Sequence, residues 1–382
     1  MPGHITRSVR LFAAPLLLAG VAGGVAPGAA SAAQAGTTGT AAPFSISGIL
    51  SGVAATSASD AWAVGYSGSL STKPLIVRWN GAAWKQVPSP APANSTLSGV
   101  AATSATNAWA VGQTGAGKAL IERWNGTAWA QTPTPAPGNF SSLSGVAAVS
   151  ATSAWAVGET SSGGSPKTLI LRWNGTAWKQ APSPTPAGGG GLFGVAANSA
   201  GSAWAVGFTG TTTKTLILRW NGTAWKRVPS PSPESPDADT LRGVAAGAAG
   251  RAWAVGCTDC ATASGFNTPL IEGWNGKAWS QTPTAGLGAT GGILAGVAAV
   301  SATNAWAVGG TESGVGTSAV ITTLIARWNG AKWTRVPSPT PGGHAGLSAV
   351  AVVSASSAWA VGEAGTGTTL IERWNGTAWK VS

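Results

Sequence analysis

The chain has 382 residues, including 56 Gly, 24 Pro and 21 Trp, and only 9% of its residues are charged. The hydrophobic share of 44% is enough for a substantial core, and a composition so rich in Trp excludes an intrinsically disordered protein. The formal net charge of +11 predicts attraction to anionic surfaces, which concerns encounter and not specificity.

The N-terminus is typical of a secretory signal peptide over residues 1–32. A positively charged start precedes an apolar stretch, and the small residues at 30–32 or at 33–35 supply a cleavage site. Pro and several Gly interrupt the apolar stretch, which therefore favours cleavage over a membrane anchor. We predict a secreted, extracellular protein in which residues 33–47 form a low-complexity segment ahead of the folded part.

Seven copies of one repeat follow. The letters AWAVG occur seven times, the letters WNG also occur seven times, and a further Trp always lies five residues after the Trp of WNG. Every one of the 21 Trp residues therefore belongs to the repeat. A period of about 46–54 residues is typical of solenoids and propellers.

Each repeat predicts four short strands, which in the third copy read SGVAAVS, AWAVG, TLILRWN and TAWKQAP. In TLILRW, Leu169 and Leu171 point to one face and Ile170 to the other, so both faces of the sheet are largely apolar and buried. The Asn-Gly pair that follows tolerates positive φ and predicts a two-residue type I′ hairpin. The Pro-rich tail after the fourth strand suits an outer edge.

This pattern predicts an all-β fold, a seven-bladed β-propeller of four-stranded antiparallel blades. An open solenoid and a row of separate domains are the alternatives. A solenoid needs capping units, which the sequence does not show, so we prefer a closed ring, and no strand exchange that would close it is evident. The predicted blades cover about 48–94, 95–140, 141–189, 190–238, 239–291, 292–345 and 346–382.

The order of AWAVG strand, loop, Trp, turn, Trp and Pro-rich exit resembles the kelch repeat of galactose-oxidase-like propellers. The stretch WNGTAW also looks like a shortened Asp-box hairpin of sialidase-like and photosystem-assembly propellers. Both resemblances cover all seven repeats and imply a propeller. A copper-radical site like that of galactose oxidase needs several Tyr and His, whereas this chain has one Tyr and two His, so we expect that activity to be missing.

Comparison among the repeats separates constant from variable connections. The turns from strand one to two and from strand three to four have constant lengths, whereas the connections from strand two to three and from strand four to the next strand one vary. In an up-and-down blade the variable connections share one side of the disc, the variable-loop face, and the tight turns share the other, the constant-turn face. Binding residues concentrate on loops held by a rigid scaffold, so the variable-loop face is the candidate site.

The residue after each AWAVG opens onto that face and has six identities in seven copies. The alternative explanation of these different identities is sequence drift in solvent-exposed loops. We predict ligand-binding residues at this position and in the adjoining loop of the sixth copy, namely Tyr66, Gln113, Glu159, Phe208, Glu363 and Glu312. The same position is Cys257 in the fifth copy and Gly310 in the sixth, and Asp237, Asp239, Asp259 and His344 lie in the same class of loops.

Cys257 and Cys260 are the two cysteines of the chain. Their spacing permits half of a zinc site, a redox pair or a local disulfide. A closed zinc site lacks further ligands, because His344 is the one His outside the signal peptide. In an exported protein we predict a disulfide that stiffens one loop, and we predict no metal and no cofactor.

Six of the seven repeats carry Arg before the Trp of WNG, and the fifth carries Gly273. These arginines either form a ring that meets nucleic acid or an anionic cell-wall polymer, or stack on neighbouring Trp, or pair with an adjacent Glu. We favour a structural role, and export argues against nucleic acid. The arginines are Arg78, Arg123, Arg172, Arg219, Arg327 and Arg373, and the adjacent acids are Glu122, Glu272 and Glu372.

These observations favour a monomeric, non-catalytic binding propeller that recognises carbohydrate or a cell-surface polymer. Carbohydrate is preferred because Trp-rich propeller lectins have repeats of similar length and aromatic faces suit sugar rings. Glycosidase chemistry needs two carboxylates a few ångströms apart, and nothing in the sequence pairs Glu159, Glu312 or Glu363, so we predict no catalytic residue. A protein-protein scaffold and a polysaccharide-active hydrolase or lyase are the alternatives.

Overall fold

The computed structural model describes residues 43–68, 71–210, 213–232, 238–247, 250–260, 267–287, 291–313, 320–365 and 367–382. The predicted signal peptide and most of the predicted low-complexity segment lie outside the described residues. Those residues form 28 strands in seven four-stranded antiparallel sheets, which confirms the predicted all-β, seven-bladed propeller. Among them, no helix is long and apolar enough to cross a bilayer.

Each blade uses four consecutive strands, paired in chain order. The first four blades contain β1 (Ile49–Ser57), β2 (Asp60–Ser67), β3 (Lys73–Trp79) and β4 (Trp84–Val87); β5 (Thr96–Ser104), β6 (Asn107–Gln113), β7 (Ala119–Trp124) and β8 (Trp129–Gln131); β9 (Phe140–Ser150), β10 (Ser153–Ser161), β11 (Lys167–Trp173) and β12 (Trp178–Gln180); β13 (Gly190–Ser199), β14 (Ser202–Thr209), β15 (Lys214–Trp220) and β16 (Trp225–Val228).

The remaining three blades contain β17 (Thr240–Ala246), β18 (Ala252–Thr258), β19 (Thr268–Trp274) and β20 (Trp279–Gln281); β21 (Gly292–Ser301), β22 (Asn304–Ser313), β23 (Val320–Trp328) and β24 (Trp333–Val336); β25 (Ala345–Ser354), β26 (Ser357–Ala364), β27 (Thr368–Trp374) and β28 (Trp379–Val381). Short 3₁₀ turns at Ala285–Leu287 and Pro341–Gly343 lie in the connections that leave the fifth and sixth blades.

The first strand of each blade is innermost. It packs against the first strands of both neighbouring blades, and β25 of the last blade packs against β1 of the first, so the ring is closed. A β-bulge interrupts the pairing of strands one and two in every blade, for example between Leu50 and Gly52. A Cβ added to Gly52 would lie 3.0 Å from Cα of Gly99 in the next blade, so the inner strands need this small residue.

All 21 Trp residues are buried, with relative exposures of 7% or less. The Trp of each second strand packs between the two Trp residues of the hairpin in the following blade. In the first pair of blades, Trp62 meets Trp124 at 4.9 Å and 58°, and meets Trp129 edge-on at 5.1 Å and 86°. The same triad recurs at every boundary between blades, including the closing one, where Trp359 contacts Trp79 and Trp84.

The predicted type I′ turn after the third strand is wrong. Trp79 pairs with Trp84, which leaves four residues in the loop, and in the described residues Gly81 has φ of 95° while Asn80 is not in the positive-φ region. The Asn80 side chain instead accepts hydrogen bonds from the backbone N–H groups of Ala82 and Ala83, at 3.0 and 2.9 Å. The side-chain oxygen takes the place of a backbone acceptor, so Asn needs no left-handed conformation.

Residues 44–48 lie against the last blade. The backbone N–H of Phe44 donates to the carbonyl of Ser382 at 3.0 Å, and the N–H of Gly48 donates to Gly367 at 2.8 Å. The N–H of Thr369 donates to the carbonyl of Ile46 at 2.8 Å. The ring closes without exchange of a whole strand. Residues 44–48, called the clasp, instead join the start of the propeller to its last blade through these hydrogen bonds.

Candidate binding site at the variable-loop face

Five of the six predicted site residues lie within the last three residues of the second strands of their blades. Glu159, for example, pairs with Ser142 on the inner strand and with Thr168 on the third strand. All of them are partly buried and stand where the innermost strands begin, at the variable-loop face. These residues are Tyr66, Gln113, Glu159, Phe208 and Glu363.

Glu159 and Phe208 lie together across the boundary between the third and fourth blades. A Cβ built on Gly191 would lie 2.7 Å from Oε2 of Glu159 and 2.7 Å from Cε1 of Phe208. The missing side chain of Gly191 is therefore what lets the carboxylate and the aromatic ring approach each other over the inner strand.

Two further residues extend this pair, and the sequence analysis missed both. The ring of Phe193 lies 5.4 Å from the ring of Phe208, and the guanidinium carbon of Arg242 lies 5.8 Å from the ring of Phe193. Both occupy the bulge position before the first-strand Gly. Glu159, Phe208, Phe193 and Arg242 are together called the channel-mouth cluster.

A comparison of the bulge position among the seven repeats could have identified Phe193 and Arg242 from the sequence. The bulge position contains Ser in four blades and Ala in one, so an aromatic ring and a cation in consecutive blades stand out. The four Ser occurrences are Ser51, Ser98, Ser144 and Ser348.

Burial perturbs both charged members of the cluster. It raises the pKa of Glu159 above its usual value and lowers the pKa of Arg242 to about 10. Among the described residues, Nε of Arg242 is buried without a hydrogen-bond partner. A buried donor without a partner is costly, so the cluster offers hydrogen-bonding capacity to a ligand next to two apolar rings.

Glu363 and Glu312 lie in other blades than this cluster. Glu363 pairs with Gly346 and Thr369 in the last blade, and burial raises its pKa to about 7. Glu312 pairs with Ile321, two residues beyond the position shared by the others, on the long hairpin of β22 and β23. No contact among the described residues connects Glu159, Glu312 and Glu363, and burial alone accounts for the raised pKa of Glu159 and of Glu363.

The neighbouring loop residues have structural partners. Asp239 is buried, accepts a hydrogen bond from Ser232 at 2.8 Å and lies 3.7 Å from Nζ of Lys214. His344 accepts a weak hydrogen bond from the backbone of Ile321. Asp237 lies outside the described residues.

The predicted disulfide is confirmed. Cys257 and Cys260 are bonded, with their Cα atoms 5.7 Å apart, and the N–H of Cys260 donates to the carbonyl of Ala238. The bridge closes a short loop at the end of β18, and the hydrogen bond from Cys260 joins that loop to the connection that enters the same blade. In the described part of the chain no group of His, Cys, Asp and Glu is arranged as a metal site.

The repeated arginines stack on Trp, which was the favoured interpretation. The guanidinium carbon of Arg78 lies 4.7 Å from the ring of Trp62 and 5.4 Å from that of Trp124 in the next blade. Neither salt bridge among the described residues joins one of these arginines to an adjacent Glu, and Glu122 and Glu272 instead accept hydrogen bonds from Ser89 and Ser230.

No protein-family model and no curated protein matches this sequence. Solved propellers resemble the fold. A xyloglucanase of family GH74 from Xanthomonas campestris is 14% identical, with 88% of this chain and 54% of that one covered and a TM-score of 0.54. The BP39L lectin from Burkholderia pseudomallei is 15% identical, with coverages of 87% and 97% and a TM-score of 0.52. YCF48 from Cyanidioschyzon merolae is 18% identical, with coverages of 79% and 88% and a TM-score of 0.50.

Proposed function

We propose that the protein is a secreted, non-catalytic propeller that binds a saccharide at the channel-mouth cluster. The observation that carries this proposal is the contiguous set of Glu159, Phe208, Phe193 and Arg242, in which two aromatic rings lie beside a carboxylate and an incompletely paired guanidinium. Ligand sites commonly combine apolar surface with a few convergent polar groups.

A saccharide suits this chemistry for a physical reason. The C–H face of a pyranose ring is apolar and packs on an aromatic ring, while its hydroxyl groups both donate and accept hydrogen bonds. Phe193 and Phe208 supply the ring surface, Glu159 accepts, and Arg242 donates. The aromatic surface offered to a sugar is that of Phe and not that of Trp, because every Trp is buried between blades.

The similarity to a lectin and to a xyloglucanase does not carry the proposal. At 15% and 14% identity these likenesses show the fold alone. The kelch and Asp-box assignments likewise stay proposals about repeat ancestry, and they add nothing to the site. Export is proposed on the N-terminal sequence and not on the folded part.

The test is binding of the purified chain, from Pro43 to Ser382, to a broad glycan array at low and at high salt, followed by titration of the best ligand. Binding that persists at high salt is expected, since stacking and hydrogen bonds are short-ranged whereas non-specific attraction to a basic protein is screened. Phe208→Ala and Phe193→Ala are each expected to weaken the Kd by roughly 10-fold, which corresponds to the loss of one aromatic contact.

Ser98→Ala is the matched control, because Ser98 holds the same bulge position in the second blade and lies outside the cluster. It should bind as the unaltered chain does. Equal loss in Ser98→Ala and Phe193→Ala, or no glycan bound at high salt, would remove the support for a saccharide site.

The same material decides between the remaining functions. A scaffold for protein contact predicts no glycan ligand and a defined protein recovered from the surface of the producing cells. A hydrolase predicts cleavage of the bound glycan that Glu159→Gln abolishes. Binding without turnover, with weaker binding in Glu159→Gln, is the outcome expected here.

A further inference from the structure

A cavity of about 340 Å³ opens at the constant-turn face, between the third and fourth blades. It lies on the opposite side of the disc from the channel-mouth cluster. Its polar lining comes from Arg172, Lys179, Thr152, Ser153, Asn174 and Gln180. No acidic residue lines it among the described residues, so the cavity brings two cations and several neutral hydrogen-bonding groups together without a counter-charge.

The two cations are direct neighbours. Arg172 and Lys179 stand opposite each other on adjacent antiparallel strands, where side chains of like charge destabilise the sheet. In the described part of the chain, the Arg172 guanidinium is held over the rings of Trp155 and Trp220 and forms no ion pair. Its stacking fixes the position of the charge and leaves its N–H groups available.

The first and second blades show how the protein satisfies this arginine elsewhere. Arg78 donates through Nη2 and Nε to one carboxylate oxygen of Asp60, at 2.8 and 3.0 Å. In the second blade Arg123 donates to Oδ1 of Asn107, at 3.0 and 3.2 Å. The residue that begins the second strand therefore decides whether the arginine has a side-chain acceptor within its own blade.

In the third blade that residue is Ser153, whose side chain is too short to reach. Among the described residues, its buried Oγ has no hydrogen-bond partner. The last blade repeats the arrangement with Ser357, whose buried Oγ also has no partner there, beside the opposed pair Arg373 and Lys380. The fourth blade has the same residue types, at Ser202, Arg219 and Lys226.

We propose that the boundary cavity at Arg172, Lys179 and Ser153 is a phosphate-binding site, repeated in the fourth and last blades. An arginine fork and a lysine ammonium both favour a phosphate oxyanion, and the short serine side chain leaves open the space that the Asp60 carboxylate fills in the first blade. The position that the Asp60 carboxylate fills in the first blade is the position that an external oxyanion takes in the third. The site is independent of the saccharide proposal, because it uses other residues on the other face.

The test is isothermal titration of the chain from Pro43 to Ser382 with inorganic phosphate at 150 mM NaCl. Ser153→Asp is expected to reduce the number of bound phosphates by one, since the new carboxylate pairs with Arg172 as Asp60 pairs with Arg78. Adding Ser202→Asp and Ser357→Asp should abolish binding. Thermal unfolding of each variant shows that the fold is retained.

The reciprocal variant makes the test sharper. Asp60→Ser is expected to add one phosphate, because Lys85 already stands opposite Arg78 in the first blade. Ser162→Asp is the control, since it brings the same charge to an exposed position of the third blade at the variable-loop face. A loss in Ser162→Asp equal to that in Ser153→Asp would show that net charge alone attracts phosphate and would overturn the proposal, as would unchanged stoichiometry in Ser153→Asp.

A polymer arm identifies the source of the phosphate. Poly(glycerol phosphate) should bind more tightly per phosphate than the inorganic ion if several cavities engage one chain, and the triple Asp variant should lose that gain. Equal affinity per phosphate would assign the sites to the free ion. Binding of the polymer that survives in the triple variant would contradict the proposed cavities.

Discussion

Three blades carry a buried Glu on the third strand where the other four carry an aliphatic residue. Glu122 accepts a hydrogen bond from Ser89 at 2.8 Å, and Glu272 accepts from Ser230. Among the described residues, neither carboxylate oxygen of the fully buried Glu372 has a partner. Burial raises the pKa of Glu372 to about 8, so the folded protein holds this side chain in its neutral form at neutral pH.

Folding stability should therefore depend on pH through Glu372. The folded pKa of about 8 lies above the ordinary value of 4.5, so between these values the folded state binds a proton that the unfolded state has released. The stability contributed is complete below pH 4.5 and declines as the pH rises towards 8. Glu372→Leu, which copies Leu171 and Leu218, is expected to raise the Tm by roughly 3 °C or more at pH 8 and by less at pH 5.

Calorimetric or fluorescence-detected unfolding across this pH range is the measurement. Glu122→Leu is the matched control, because it also deletes the hydrogen bond from Ser89 and should gain less. A pH-independent effect of Glu372→Leu would mean that the carboxyl ionises freely in the folded state.

At the scale of single residues, the sequence located the repeat Trp but could not say which of them meet. Period-two alternation assigns Trp62 to a face of its strand, but its partners, Trp124 and Trp129, belong to the next blade and depend on how blades pack. Phe193 and Arg242 were missed because the search for site residues followed the variable loops and the residue after AWAVG, whereas these two lie at the bulge of the first strands.

At the scale of the strand, the glycine of AWAVG has a role that the bulge explains. A Cβ on Gly112 would lie 1.9 Å from the carbonyl oxygen of Thr96 on the inner strand, and the corresponding distance in the other blades is 1.8–2.0 Å. The first-strand Gly99 is less constrained, since its Cβ would lie 3.1 Å from the carbonyl oxygen of Ser144. The pairing between strands one and two depends on the glycine of AWAVG, such as Gly112. The packing between blades depends on the first-strand glycine, such as Gly99.

Gly112→Ala is accordingly expected to destabilise the fold by at least about 3 kcal/mol, because the added methyl meets backbone that cannot move without breaking the pairing. Gly99→Ala should cost roughly 1 kcal/mol, since Ala349 occupies the same position in the last blade. Chemical denaturation of both variants gives the two free energies of unfolding, and a similar cost for both would contradict this account of the bulge.

The hairpin between strands three and four was predicted as an element but with the wrong turn. The Asn-Gly letters indicate a reversal, and the two flanking Trp indicate paired strand ends. Whether Asn acts through its backbone or its side chain depends on the hydrogen bonds to Ala82 and Ala83, which no propensity specifies.

At the scale of the whole molecule, closure of the ring relies on the segment that precedes the first strand. Four hydrogen bonds join it to the last blade, and Phe44 and Ile46 pack against the hydrophobic cluster that contains the closing Trp triad. The four hydrogen bonds join Phe44 to Ser382, Gly48 to Gly367, and Ile46 to Thr369 twice.

A chain that begins at Ile49 should therefore be less stable than one that begins at Pro43, by roughly 3–5 kcal/mol for the lost bonds and apolar contacts. The Pro43 chain should unfold like the chain from Ala33. Differential scanning calorimetry compares the three, and equal Tm values for the Ile49 and Pro43 chains would show that the Trp triad alone closes the ring. The repeats made the number of blades predictable, but this clasp has no repeated counterpart and left no pattern to read.

The uniformity of the Trp triads has a consequence for assembly. Every boundary between blades presents the same three indoles in nearly the same geometry, with edge-on contacts at 83–87° throughout. The Trp triad by itself therefore does not distinguish a neighbouring blade of the same chain from a blade of a second chain. Short connections select the intramolecular partner by holding it at a high effective concentration. Refolding is thus a competition between closure, which does not depend on protein concentration, and exchange between chains, which increases with it.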